Sequence, residues 1–159
     1  MRFMVRTIMT SAVLVGMLSS GPLAAQTADN FMGTWKLNVA KSKYTTAAPK
    51  SLAVTFEKAG AAVKITAKGV AADGTPINSV YTATYDGKDV PVTGSPDFDT
   101  AAMTMMDANT RHTVRKKGGK EMQVVHSVVA KDGKSFTSTT KGTNAKGEKV
   151  DNTAVFEKQ

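Results

Sequence analysis

The sequence has no cysteine among its 159 residues. Disulfide bonds, thiol catalysis, thiolate metal sites and a lipidated N-terminal cysteine are therefore excluded. Without covalent cross-links, the fold must be stabilised by side-chain packing and hydrogen bonding alone.

Residues with common catalytic or metal-binding chemistry are also few. The chain has two histidines, no glycine–x–serine–x–glycine motif and no pair of carboxylates placed for glycosidase chemistry. Asp97 and Asp99 in SPDFD resemble half of a calcium loop, but the closing glutamate is missing, and turn chemistry explains them better. We therefore predict no catalytic residue, no metal site and no cofactor.

Long apolar runs are missing too. Residues 7–18 (TIMTSAVLVGML) form the longest one, which is shorter than the roughly 20 residues that span a bilayer. Arg2 and Arg6 flank it on one side and the small-residue segment SSGPLAAQ on the other, the order typical of a secretory signal peptide. We predict a cleaved signal peptide at 1–25, a single domain at 26–159, and a periplasmic or secreted protein with no later membrane segment.

Lysine and arginine outnumber aspartate and glutamate by 21 to 13. The basic residues are spread singly along the chain, whereas a nucleic-acid-binding face would collect them in one cluster. We therefore expect no nucleic-acid partner, and we expect a monomer.

What the sequence does have is threonine, valine and glycine in a regular alternation. Turn dipeptides such as Asp73-Gly74, Asp86-Gly87 and Asp132-Gly133 separate short segments with period-two hydrophobicity, and no segment has a sustained helical period. The pattern predicts an all-β, single antiparallel up-and-down β-barrel of about eight to ten strands with no large helix. At most a helical turn fits 39–46. The predicted strands are 34–38, 51–58, 61–68, 77–85, 88–92, 100–106, 110–117, 120–130, 134–142 and 148–157.

The turns also predict which side chains point inward. A two-residue loop at Ala59-Gly60 places Phe56 opposite Val63 on an apolar face, and one at Asp86-Gly87 pairs Tyr81 with Val92. Loops at Gly118-Gly119 and Asp132-Gly133 place one set of side chains inward, namely His112, Val114, Val125, Ser127, Val129, Phe136, Ser138 and Thr140. The opposite face carries Arg111, Arg115, Lys117, Lys120, His126, Thr137, Thr139 and Lys141, and unpaired charge is costly to bury, so this face is predicted to be wet.

The two histidines are thus predicted to lie on opposite faces, where they cannot share a metal. His126 beside Arg111 is interpreted as a surface residue. His112 is interpreted either as a histidine hydrogen-bonded to a neighbouring hydroxyl or as a group that orients a ligand in a cavity.

The single tryptophan, Trp35, lies two residues after a glycine in the stretch FMGTWKL. A large aromatic side chain on the first strand can close one end of a barrel, and the glycine allows a close approach of the chain. FMGTWKL at 31–37 resembles the opening of the calycins, the lipocalins and fatty-acid-binding proteins, and AVFEKQ at 154–159 resembles the last strand of the latter. Taken as a whole, the chain resembles exported bacterial lipocalin-like proteins.

The resemblance implies a ligand-binding barrel. The carboxylate-binding arginine and tyrosine of the fatty-acid-binding proteins would fall on Ala154 and Phe156, which cannot hold an anion, and the two-helix lid is missing. The resemblance therefore implies a neutral or weakly polar ligand held by shape and apolar burial.

Three functions remain open at this stage. The first is an exported protein that binds a small apolar or weakly polar molecule in a calyx-type cavity. The second is a filled structural or interaction barrel without a ligand, and the third is a cofactor-free isomerase or cyclase that uses His112, Tyr81 and Tyr85 as acid or base. The predicted cavity-lining residues are Trp35, Phe56, Ile65, Tyr81, His112, Val125 and Phe136.

Overall fold

A computed structural model describes residues 28–159. The predicted signal peptide lies outside these residues. Ten strands and no helix make up the described part of the chain. They are β1 (Gly33–Lys43), β2 (Ser51–Ala59), β3 (Ala62–Val70), β4 (Pro76–Ala83), β5 (Asp86–Pro91), β6 (Thr100–Asp107), β7 (Thr110–Lys117), β8 (Lys120–Val129), β9 (Ser135–Thr143) and β10 (Lys149–Lys158).

The strands form one antiparallel sheet that curls into a nearly closed barrel. Its order is β4-β3-β2-β1-β10-β9-β8-β7-β6-β5, so strands that follow each other in sequence pair, except β4 and β5, and β1 pairs with β10. The two ends of the sheet, β4 and β5, meet through one bridge, in which Val80 and Thr93 exchange backbone hydrogen bonds of 3.0 Å each. The predicted fold class is confirmed.

The seam between β4 and β5 is filled by side chains rather than by a ladder. Tyr81 packs there against a small buried cluster of Val92, Phe98 and Ala101. The pairing of Tyr81 with Val92 belongs to the same register as the observed Val80–Thr93 bridge, but the predicted hairpin ladder does not form.

The main hydrophobic core lies at one end of the barrel, which we call the closed end. Residues 29–32 cross this end before β1 begins, and Asn30 donates its backbone N–H to the carbonyl of Ala108 in the β6–β7 turn at 3.0 Å. Trp35 and Phe31 are completely buried there. The interpretation of Trp35 as the residue that closes the barrel therefore agrees with its position.

Two predicted hairpins place their side chains on the predicted faces. In β8 and β9, Val129 pairs with Phe136, Ser127 with Ser138 and Val125 with Thr140, as predicted. In β2 and β3 the loop is Gly60-Ala61, so that Phe56 pairs with Ile65 instead of Val63. That change moves the register by two residues, and a two-residue shift leaves every side chain on its face.

The predicted register of β7 against β8 is wrong. The ladder starts as predicted, with Lys117 opposite Lys120, but Lys116 pairs with Glu121 and Arg115 with Gln123, which leaves Met122 without a partner. This β-bulge adds one residue to β8 and reverses the faces of the rest of β7 relative to β8. The consequence is that Arg111, Thr113 and Arg115 point into the barrel, while His112 and Val114 point outward.

The helical turn predicted for 39–46 is also wrong. β1 continues to Lys43, which pairs with Thr153 after an irregularity that begins at Asn38. The Ser42 hydroxyl donates to the Asn38 carbonyl at 2.7 Å and accepts the backbone N–H of Val155 at 2.9 Å. These contacts hold the bent strand on β10 and replace the hydrogen bonds that a helical turn would make.

Candidate functional site

The inner faces of the strands surround a cavity of about 430 Å³ that opens away from the closed end. This volume lies within the range of about 300–1,000 Å³ typical of small-molecule sites. Its opening, which we call the mouth, is bordered by residues of the β1–β2, β3–β4, β5–β6 and β9–β10 connections, among them Thr46, Ala71, Pro96 and Asn144.

The floor of the cavity is aromatic. The rings of Phe136 and Phe156 stack with centroids 4.6 Å apart, and Phe31 and Phe56 meet edge-on at 5.8 Å. Trp35 packs on Phe136 at 5.1 Å and donates its indole N–H to the carbonyl of Phe31 at 2.6 Å. The floor is therefore a rigid apolar surface, because its rings hold each other in place and the one polar atom among them is satisfied.

A buried ion pair lies beside this floor. One guanidinium nitrogen of Arg111 (Nη2) donates to both carboxylate oxygens of Asp29, at 2.7 and 2.6 Å. The guanidinium carbon of Arg111 lies 4.1 Å from the ring centroid of Phe31 and 4.4 Å from that of Phe56. The hydroxyl of Tyr85 donates to the same carboxylate. Asp29 thus neutralises Arg111 and joins the segment before β1 to the barrel wall.

Burial changes the proton affinities in this cluster. It raises the pKa of the Tyr85 hydroxyl far above its usual value, although the nearby guanidinium of Arg111 acts in the opposite direction. Burial also lowers the pKa of Arg111, an effect that its neighbours Tyr85 and Asp29 oppose. Around neutral pH we therefore expect Tyr85 to be a neutral hydrogen-bond donor to the Asp29 carboxylate.

A second arginine, Arg115, lines the cavity nearer the mouth. Its Nη1 donates to Oε1 of Gln123 at 3.2 Å, and its guanidinium carbon lies 4.6 Å from the ring centroid of Phe98. Its Nε is buried and has no hydrogen-bond partner. None of the ion pairs within residues 28–159 involves Arg115. Burial is also the main reason that the pKa of Arg115 lies below its usual value.

Between floor and mouth, one wall carries small hydroxyl groups. Ser127 and Ser138 lie opposite each other on β8 and β9, and their hydroxyls are 3.1 Å apart. Thr113 and Thr140 line the same cavity. This wall offers hydrogen bonds but no charge, so it suits an uncharged polar group of a ligand.

Five of the seven residues predicted from the sequence line this cavity, namely Phe56, Ile65, Tyr81, Val125 and Phe136. Trp35 lies behind the floor and supports it. The inward position predicted for His112 is wrong: it pairs with His126 on the outer face of the barrel, because the bulge at Met122 reverses the faces of β7. Whether the five lining residues contact a ligand stays a prediction.

Sequence reasoning missed the charged residues of the site. The sequence pattern predicts the wet face for Arg111 and Arg115. It gives no role to Asp29, which precedes the first strand and is 82 residues away from Arg111 in sequence. The available signal was the spacing of the two arginines, four apart with Thr113 between, which places all three on one face of a strand. That spacing does not say which face is inside.

Within residues 28–159, no group of three or more histidine, aspartate or glutamate side chains is placed to hold a metal ion. The described residues also contain no helix that is long and apolar enough to cross a membrane.

Comparisons with family models, curated proteins and solved structures find similarity among the solved structures alone. No family model matches the chain, and no curated protein matches it. A solved structure described as "Structure of EF1p2_mFAP2b bound to DFHBI" is similar, with 14% sequence identity and a TM-score of 0.45 over 82% of this chain and 94% of that chain.

Proposed function

We propose that this chain binds a small, largely apolar molecule in the cavity of its barrel and acts as an exported carrier or sequestering protein. The observation that supports binding best is the cavity itself, about 430 Å³ in volume with a floor of packed aromatic rings and a mouth open to solvent. Each 100 Å² of apolar ligand surface buried there would contribute roughly 2.5 kcal/mol before the costs of association.

The cavity favours this function over the two alternatives. A filled structural barrel needs an interior occupied by side chains, and a space of this size argues against one. The isomerase or cyclase alternative loses support from His112, which lies on the outer face. Its two other candidates, Tyr81 and Tyr85, both have a pKa that burial raises, so neither is suited to act as a base near neutral pH.

Export and the resemblance to exported lipocalin-like proteins remain part of the proposal. Export rests on the basic, apolar and small-residue order of residues 1–25. The resemblance rests on FMGTWKL at 31–37 and AVFEKQ at 154–159. The intact mass of the protein recovered from the periplasm or medium of its own host tests this part. We expect a chain that begins at Gln26, and a full-length protein retained in the cytoplasm would contradict export.

Binding is tested by titration with N-phenyl-1-naphthylamine, a neutral apolar dye that fluoresces when it leaves water. The test variant is Ala67→Phe, which places a ring in the cavity from β3, and the matched control is Thr66→Phe, which places the same ring on the outer face. We expect saturable binding by the natural protein, at least about tenfold weaker binding by A67F, and little change in T66F.

A native mass spectrum of the protein from its own host complements the titration. An additional mass that disappears on denaturation would identify the natural ligand. No dye binding together with a bare mass under both conditions would refute the proposed function.

A further inference from the structure

The two arginines of the cavity differ in how their charges are balanced. Arg111 and Arg115 lie on the same face of β7, four residues and so about 13 Å apart along the strand. Arg111 has a carboxylate, Asp29, within 2.6 Å. Arg115 has only the uncharged amide oxygen of Gln123 and a ring face, and its buried Nε has no partner.

The nearest acidic group does not take the place of a partner. Asp97, in the β5–β6 connection, attracts the charge of Arg115. The two do not form an ion pair, however, and one Asp97 carboxylate oxygen accepts the backbone N–H of Ala145 at 3.0 Å. Asp97 therefore connects the β5–β6 loop to the β9–β10 loop at the mouth, while the guanidinium of Arg115 faces the cavity.

The side chain of Arg115 is only partly exposed, and a cation withdrawn from water without a counter-ion is costly unless another group neutralises it. A guanidinium presents a planar fork of N–H donors, and this fork matches the oxygens of a carboxylate, sulfonate or phosphate. The position of Arg115 on the mouth side and the aromatic floor at the closed end also define an orientation. An apolar portion fits the floor, and an anionic group fits Arg115.

We propose that the ligand of this cavity is an amphiphile with a single oxyanion group, which enters with its apolar end first and pairs its anion with Arg115 near the mouth. This inference rests on the proposed function, and it replaces the neutral ligand expected from the sequence. Arg111 has no part in holding the anion, because Asp29 already neutralises it.

The test compares two dyes with the same ring system. One is 8-anilinonaphthalene-1-sulfonate, which carries a sulfonate, and the other is N-phenyl-1-naphthylamine, which lacks it. Arg115→Met removes the charge inside the cavity, and Lys64→Met removes one charge from the exposed outer face as a control. We expect R115M to weaken binding of the sulfonate dye by at least about tenfold, the loss typical of a charge-assisted hydrogen bond, with the neutral dye within about twofold.

A second measurement needs no variant. Sodium decanoate and decyltrimethylammonium bromide carry alkyl chains that differ by one methylene, and they carry opposite charges. At an ionic strength near 0.15 M, where distant surface charges are screened, we expect decanoate to displace the neutral dye from the natural protein at a concentration at least about tenfold lower. Equal displacement by the two amphiphiles would overturn the proposal even if R115M failed to fold.

The outcomes separate this inference from the proposed function. If R115M binds the sulfonate dye as well as the natural protein does, Arg115 does not hold the anion and the inference is wrong. If the natural protein binds only the neutral dye, the inference fails while the apolar cavity stands. If it binds neither dye and its native mass spectrum shows no additional mass, the proposed function fails as well.

Discussion

The ion pair between Asp29 and Arg111 offers the sharpest test of the described structure. Both side chains are nearly buried, with 11% and 3% of their surfaces exposed, and both carboxylate oxygens accept from the same guanidinium nitrogen. Asp29→Ala would leave Arg111 charged and without a hydrogen-bond acceptor, since its Nε and Nη1 already have none. Removing one partner of a buried pair typically costs about 3–5 kcal/mol.

We expect a loss near the lower end of that range. The faces of Phe31 and Phe56 still contact the guanidinium after the substitution, and each such contact contributes about 0.5–2 kcal/mol. A loss of about 3 kcal/mol with a urea m-value of about 1.5 kcal/mol/M corresponds to a midpoint lower by about 2 M.

The assay is urea unfolding of the protein without its signal peptide, followed by circular dichroism. The control is the double variant Asp29→Ala with Arg111→Met, which removes both charges and keeps an apolar chain of similar length. Because no uncompensated charge remains, we expect it to regain most of the lost stability. A midpoint for D29A within about 0.5 M of the natural protein, or a double variant no more stable than D29A, would refute the reasoning.

Three further substitutions test the packing of the barrel and its response to pH. Gly94 has a φ of 78°, and a Cβ there would overlap a backbone oxygen of β4, so Gly94→Ala should destabilise the protein by more than about 2 kcal/mol. The control Gly133→Ala has a φ of 67° and open space around it, so it should lose only the roughly 1–2 kcal/mol that a left-handed backbone costs. Equal urea midpoints for the two variants would contradict the close approach of Gly94 to β4. Trp35→Ala should lose about 3–5 kcal/mol through the cavity it leaves, and a loss below about 1 kcal/mol would show that this side chain does not close the barrel. Burial raises the pKa of Tyr81 and Tyr85, so above pH 10 the unfolded chain loses protons that the folded chain keeps, and stability should fall by up to about 1.4 kcal/mol per pH unit per tyrosine. Tyr81→Phe should reduce this loss of stability above pH 10 without changing stability between pH 7 and 9. If the loss above pH 10 is the same in the variant, the pKa of Tyr81 does not contribute to it.

The sequence predicted the architecture because the signals that specify strands and turns are local. Alternating hydrophobicity and glycine turns specify strands and hairpins within about 20 residues, and the ten predicted strands overlap the ten observed ones. Local turn chemistry also specified the register of β8 and β9, and so the inward positions of Val125 and Phe136. Phe56 and Ile65 also lie on the predicted face, although the predicted register of β2 and β3 is wrong by two residues, because a two-residue shift preserves the faces.

The faces of β7 depended on more than local information. The Gly118-Gly119 turn begins the ladder as predicted, and a single extra residue, Met122, then reverses it. No residue pattern in β8 predicts the bulge. The rule that charge belongs outside then reinforced the wrong register, because it leaves out the partner that Arg111 has in Asp29.

The sequence by itself therefore determined an antiparallel barrel with an apolar interior and a tryptophan at its closed end. Only the tertiary structure decided that two arginines line that interior and that His112 does not. The physical reason is that a buried charge is acceptable only with a partner, and the partner of Arg111 is Asp29, which reaches it across the closed end from a segment 82 residues away. Such a contact exists only once the barrel has formed, so no pattern along the chain could reveal it.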